Sequence, residues 1–312
     1  MLLRRAFTRK AAISVGLQEL QLRKLSLSSK MGLSDAAGVG SYETLSVSRP
    51  RENVVHVEMN RPEKMNAMNV AFWREMNQCF TSLANDKDCR AVVLTGAGKH
   101  FTAGLDLIDF QSLLFSNEIE DTGRKGFRIR KLISDMQESF NAVEKCPKPV
   151  IAAVHSACIG GGLDLISACD IRLCSKDAWF QIKEVDIGVL ADVGTLQRLP
   201  KIVGNDSLVR ELAYTARVFH SDEARGFGLV SRVLADRQTC VDAALQMAAD
   251  IASKSPVAVQ GTKVNIVFSR DHTVAESLDY ASVWNSFAIQ SEDTLKAGQA
   301  FLTKTKPTFS KL

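Results

Sequence analysis

From position 150 to 169 the chain runs through its most apolar window, and interruptions in that window decide what it can form. Its length would suit a membrane span, which needs about 20 apolar residues. His155, Asp164 and the triplet Gly160-Gly161-Gly162 stand inside it, however. The window therefore reads as a buried strand over 150–154, a glycine turn, and a helix over 163–168. A further strand follows at 171–174. No membrane span is expected.

The same alternation extends along the chain. Val55, Val57 and Met59 alternate with His56 and Glu58, a strand pattern closed by Asn60-Arg61-Pro62. Trp73, Met76, Phe80 and Leu83 recur at helical spacing over 69–85. Ala91-Val92-Val93-Leu94-Thr95 reads as a buried strand, closed by Gly96-Ala97-Gly98. Residues 31–50, rich in Ser, Gly and Ala, read as a loose lead-in. A mixed helix over 124–144 ends near Pro147. Later helices are expected over 206–216, 221–226 (with Ser221 as N-cap), 238–253, 257–268 and 272–290. Strands and helices alternate to about residue 235, and the remainder is helical. That order predicts an α/β core followed by a helical C-terminal part.

Composition excludes several classes. At 46% hydrophobic residues in 312 the chain can bury a large core. Seven cysteines without a CxxC pair argue against a disulfide framework or a zinc ribbon. The net charge of +4 comes from the first 30 residues, where seven basic side chains meet a single acid, Glu19. The rest is slightly acidic, so no nucleic-acid partner is expected. The leader is Arg-rich, carries four serines and can present an apolar face, the composition of a mitochondrial transit peptide. Ser310-Lys311-Leu312 matches a peroxisomal import signal. Together they predict a mitochondrial matrix and peroxisomal location, with the import receptors of both organelles as partners.

Two glycine-bearing turns could carry chemistry. They are Phe101-Thr102-Ala103-Gly104-Leu105-Asp106 and Ile159-Gly160-Gly161-Gly162-Leu163-Asp164. Glycine lets the backbone approach a ligand, and a helix starting after Gly162 would point free N–H groups forward. Two such groups converging on one oxygen form an oxyanion hole. Neither turn matches a P-loop or a dinucleotide fingerprint. The nearby acids are Asp164, Glu184, Asp186 and Asp192. Pattern alone allows Asp164 to be a helix-start acid and the others solvated loop acids. The five histidines show no metal-ligand spacing, so no metal is expected. No GxSxG or cysteine signature supports nucleophilic catalysis.

The two turns, about 58 residues apart, together resemble the enoyl-CoA hydratase/isomerase (crotonase) family. Asn60-Arg61-Pro62-Glu63-Lys64-Met65-Asn66-Ala67 is similar to its N-terminal signature. Cys169-Asp170-Ile171-Arg172 and Gly194-Thr195-Leu196-Gln197-Arg198-Leu199-Pro200 match it too. The resemblance implies an α/β, crotonase-like spiral of ββα units with a helical C-terminal trimerisation region. The implied division is 1–45 transit peptide and lead-in, 46–235 catalytic core, 236–312 oligomerisation region. It implies homo-trimers that commonly pair into hexamers, and acyl-CoA thioester substrates.

Departures within the family bear on the reaction. Hydratases carry two glutamates, and here the first is Asp164, with Glu184 at the second position. Asp192 adds a third carboxylate where hydratases have an uncharged loop residue. This set resembles the dienoyl-CoA isomerase branch, which shifts 3,5-dienoyl-CoA to 2,4-dienoyl-CoA in the β-oxidation of unsaturated fatty acids. The resemblance implies proton removal at C2 and return at C6. Glu184 is assigned to C2 and Asp192 to C6, with the reverse assignment open and Asp164 tuning both. Leu105 and Gly161 map to the oxyanion donors. Ala103, Gly104, Leu105 and Gly161 map to substrate binding. No cofactor is needed, because only protons move. The alternatives are a 2-enoyl-CoA hydratase, a Δ3,Δ2-enoyl-CoA isomerase, and a non-catalytic acyl-CoA- or RNA-binding member.

Overall fold

The computed structural model describes residues 41–114 and 121–312. The basic leader lies outside the described residues.

Strand β1 (Leu45–Arg51) turns back through Glu52 and Asn53 into β2 (Val54–Met59), and the two pair antiparallel. Asn53 takes a left-handed conformation in that tight turn, which asparagine tolerates better than most residues. The lead-in expected over 31–50 is thus corrected: from Leu45 it is an edge strand. Its exposed, Arg-rich residues conceal the alternation that a half-buried strand would show.

Helix α1 (Val70–Asn85) follows, capped by the Asn69 side chain on the Phe72 amide. Next come β3 (Ala91–Gly96), α2 (Leu107–Leu114), α3 (Thr122–Lys145) and β4 (Val150–Val154). After them stand β5 (Ala157–Ile159), α4 (Gly161–Ala168), β6 (Ile171–Ser175) and β7 (Trp179–Gln181). Helix α4 starts at Gly161, two residues before the expected point. Then follow α5 (Thr195–Val203), α6 (Asp206–Thr215), β8 (Phe219–His220), α7 (Ser221–Gly226) and β9 (Arg232–Leu234). Ser221 is the first residue of α7 and not its cap; its hydroxyl donates to the Lys176 carbonyl.

The main sheet runs β1-β2-β3-β4-β6-β9, parallel from β2 onward. Both of its faces are covered, as parallel sheets require. Val92, Leu94, Val150, Ala152 and Val154 pack into the core shared with α1, α3 and α4. Val93, Ile151, Ala153 and Leu173 face the other way, onto Cys240, Ala244, Ala248 and Ala252 of α8 (Arg237–Ala252). These small residues, four apart, let α8 lie close on the sheet. A three-stranded sheet, β5-β7-β8, stands apart from the main one.

The chain closes with α9 (Pro256–Phe268), α10 (Val274–Ala288) and α11 (Glu292–Thr303). Helix α10 buries no residue, and Leu278 and Phe287 are 67% and 73% exposed. Among the described residues no helix is long and apolar enough to cross a membrane. All seven cysteines are buried and unpaired.

Candidate active site

The N-terminal signature works as a clamp on the first glycine turn. Asn66 accepts from the Arg61 amide, and its Nδ2 reaches the carbonyls of Ala97, His100 and Phe101 at 2.8–3.1 Å. The Ala103 amide donates to Met65 O, Met68 N to Gly104 O, and Asp106 N to Met68 O. With Gly104 and Asp106 turned to Met68, the intervening Leu105 amide points away from Met68, because successive backbone groups of an extended chain alternate.

That turn is laid along β5. Thr102 donates to Ala157 O, and Ile159 N donates back to Thr102 O. The contact needs glycine at two places. A β-carbon on Gly104 would stand 2.6 Å from Ile159 O and 3.4 Å from Gly161 N. One on Gly162 would stand 2.6 Å from Thr102 Cγ2. The two turns recognised in the sequence therefore meet. Gly161 opens α4, where an N–H has no intrahelical acceptor. Leu105 and Gly161 both line one cavity of about 460 Å³.

Asp164, Glu184 and Asp192 line the same cavity, as do Ala103 and Gly160. Gly104 is not in its wall and serves the turn contact behind it. Apolar side chains form most of the remainder, with Trp73 from α1, Phe110 from α2, and Leu132 and Met136 from α3. Sequence reasoning did not assign these four to the site: helical spacing marks core and pocket residues alike at Trp73, Leu132 and Met136, and Phe110 stands on a helix that the sequence did not reveal.

Each carboxylate has its own setting. Asp164 is fully buried, one turn into α4. Its Oδ1 accepts the Thr195 amide at 2.5 Å, and its Oδ2 has no partner. Thr195 begins α5, so the positive end of that helix faces the carboxylate. Burial pushes the Asp164 carboxyl up to about 6, with Thr195 opposing the rise and the Asp192 charge adding to it. Glu184 opens the short 3-10 turn Glu184–Ile187, and its Oε2 is buried without a partner. Burial, then the Asp164 charge, push the Glu184 carboxyl up to about 7. Asp192 lies between that turn and α5. Its carbonyl accepts Gln137 Nε2 at 2.7 Å, and burial raises its carboxyl too. Thr195 and Gln137 were missed as supports; a helix start at Gly194-Thr195 was the available signal for the first.

The remaining motif residues hold the frame. Asp170 accepts from Val150 N and from Lys263 Nζ, both at 2.7 Å. Arg172 donates to the carbonyls of Ile166, Cys169 and Leu229. Asp186 lies outside the cavity wall and pairs with Lys183 at 2.6 Å.

A cavity lined by Leu105 and Gly161 of the two glycine turns and by three carboxylates of raised pKa suits proton transfer beside a developing oxyanion. Comparison with known proteins gives the family. The enoyl-CoA hydratase/isomerase family model matches residues 49–311. A Homo sapiens protein named "Delta(3,5)-Delta(2,4)-dienoyl-CoA isomerase, mitochondrial" is 53% identical, over 95% of this chain and 97% of its own. An Arabidopsis thaliana protein named "Delta(3,5)-Delta(2,4)-dienoyl-CoA isomerase, peroxisomal" is 46% identical, over 87% of this chain and 99% of its own. Among solved structures, an enoyl-CoA hydratase from Bacillus anthracis superposes with a TM-score of 0.77 at 29% identity, covering 86% of this chain and 99% of its own. With its two glycine turns joined and its signature segments in place, this chain belongs to the enoyl-CoA hydratase/isomerase family.

Proposed function

We propose that this protein isomerises 3,5-dienoyl-CoA thioesters to 2,4-dienoyl-CoA in the β-oxidation of unsaturated fatty acids. The observation that carries the reading is a third carboxylate, Asp192, on the wall of the cavity that holds Glu184 and Asp164. Hydration of a 2-enoyl thioester has no use for it. Relatives named for this isomerisation, at 46% identity and above over most of the chain, support the same reading.

The thioester carbonyl oxygen accepts the Leu105 and Gly161 amides. Glu184 takes a proton from C2, and the negative charge spreads over that oxygen and the conjugated carbons. Asp192 returns a proton at C6, and the two double bonds move one position toward the thioester. C2 and C6 are four bonds apart, so two separated acid–base groups suit the task. Asp164 holds negative charge near Glu184 and keeps it basic. The Ala103 amide is used by Met65, which leaves its carbonyl for the adenine of CoA.

The protein acts as a homo-oligomer, a trimer or paired trimers, joined through the C-terminal helices. It works in the mitochondrial matrix and the peroxisome, delivered by both import receptors. The test of activity is ultraviolet absorbance of the conjugated 2,4-dienoyl thioester on addition of 3,5-dienoyl-CoA. Fast hydration of 2-enoyl-CoA without that absorbance would overturn the reading in favour of a hydratase.

A further inference from the structure

Asp192 and Val193 belong to the walls of two cavities at once. One is the apolar pocket with Glu184 and Asp164. The other, of about 330 Å³, is polar, lined by Gln137, Asn141, Glu144, Gln197, Arg198 and Lys201 among others. The two walls share no other residue. Lys201 and its ion-pair partner Asp271 are 45% and 66% exposed, so the polar cavity reaches the surface. A polar space of this size holds several waters, since one occupies about 30 Å³ in the liquid.

The proposed reaction leaves a proton imbalance. Each turnover ends with Glu184 protonated and Asp192 ionised. Before the next turnover Glu184 must release its proton to solvent, once the product leaves, and Asp192 must regain one. An acyl chain filling the apolar pocket displaces water from that side. We propose that the polar cavity is a proton conduit, through which Asp192 is recharged from bulk solvent while the apolar pocket is occupied. The inference rests on the isomerase reading above. It makes Gln197 and Lys201, at the outer wall, residues that affect the resetting of the enzyme and not the chemical step.

Isotope tracing tests it. The full-length protein is supplied with saturating 3,5-dienoyl-CoA carrying two deuteriums at C2, in ordinary water, over many turnovers. Solvent recharging puts protium at C6 of the product, whereas an internal relay from Glu184 puts deuterium there. The wild-type product should carry protium at C6. Gln197→Trp and Lys201→Trp, bulky changes at exposed positions, should narrow the conduit. Both should lower kcat several-fold with KM little changed, and deuterium should appear at C6. Deuterium at C6 in the wild type overturns the conduit. So does an unaltered kcat and label pattern in both folded variants. Loss of the 2,4-dienoyl absorbance in the wild type would instead sink the isomerase reading, which keeps the two failures apart.

Discussion

In the proposed reaction the carboxylate at position 192 protonates a second carbon, C6. Asp192→Asn keeps the shape and removes the proton. Acid–base groups contribute about 10²–10⁴-fold, so kcat should fall on that order with substrate affinity little altered. Hydrogen–deuterium exchange at C2 should survive, because Glu184 and the two amides remain. Nuclear magnetic resonance of C2 exchange, beside full isomerisation, reads this. A variant that isomerises normally removes Asp192 from the mechanism, and loss of both signals in a folded oligomer reverses the two roles. Glu184 has to be ionised to accept a proton, and its carboxyl is pushed up to about 7. The rate should therefore fall as pH drops through that value. The Asp164 charge is one cause of the rise, so Asp164→Asn makes Glu184 ionise more readily. The acid limb of kcat/KM should move to lower pH in that variant, and a limb that stays in place would show that the two carboxylates do not communicate.

At the scale of the element, the site exists because two turns touch. Gly162→Ala forces a methyl to 2.6 Å from Thr102 Cγ2 and 3.1 Å from Cys158 Sγ. Overpacking of this kind costs about 1–3 kcal/mol. The variant should show a lower Tm and a lower kcat, since the Gly161 amide moves with its helix. Thermal melts and steady-state rates check both. The turns were legible from their glycines, and β2, β3, β4 and β6 from their apolar residues. The contact between the turns was not, because Thr102 finds Ala157 and Cys158 only in the folded chain. Strands β5, β7, β8 and β9 have two or three residues each, too few for a period. Helix α2 and helix α5, which carry Phe110 and Thr195, also escaped expectation. The burial of Asp164 was equally hidden, since its partner Thr195 lies 31 positions away. On pattern alone it was an ordinary helix-start acid, and the family resemblance brought it to the site.

For the whole molecule, the C-terminal helices leave apolar side chains uncovered: Phe301 of α11 is 84% exposed, and Leu278 and Phe287 of α10 are 67% and 73% exposed. On α10, which buries no residue, a run of such side chains is the kind of apolar surface that association covers. Phe287→Glu should lower the sedimentation coefficient toward that of a monomer, and an unchanged value would exclude α10 from the contact. The seven cysteines carry a different consequence. All are buried, and burial raises every thiol, to about 12 at Cys79, Cys89, Cys169, Cys174 and Cys240. Only the thiolate reacts with peroxide or exchanges with glutathione, and near neutral pH a thiol so raised is ionised to roughly one part in 10⁴ or less. The native protein should thus take up no thiol reagent until denatured, as mass spectrometry would read. Redox chemistry cannot easily reach such a chain, and oxidants that would modify an exposed thiol should leave the fold unaltered.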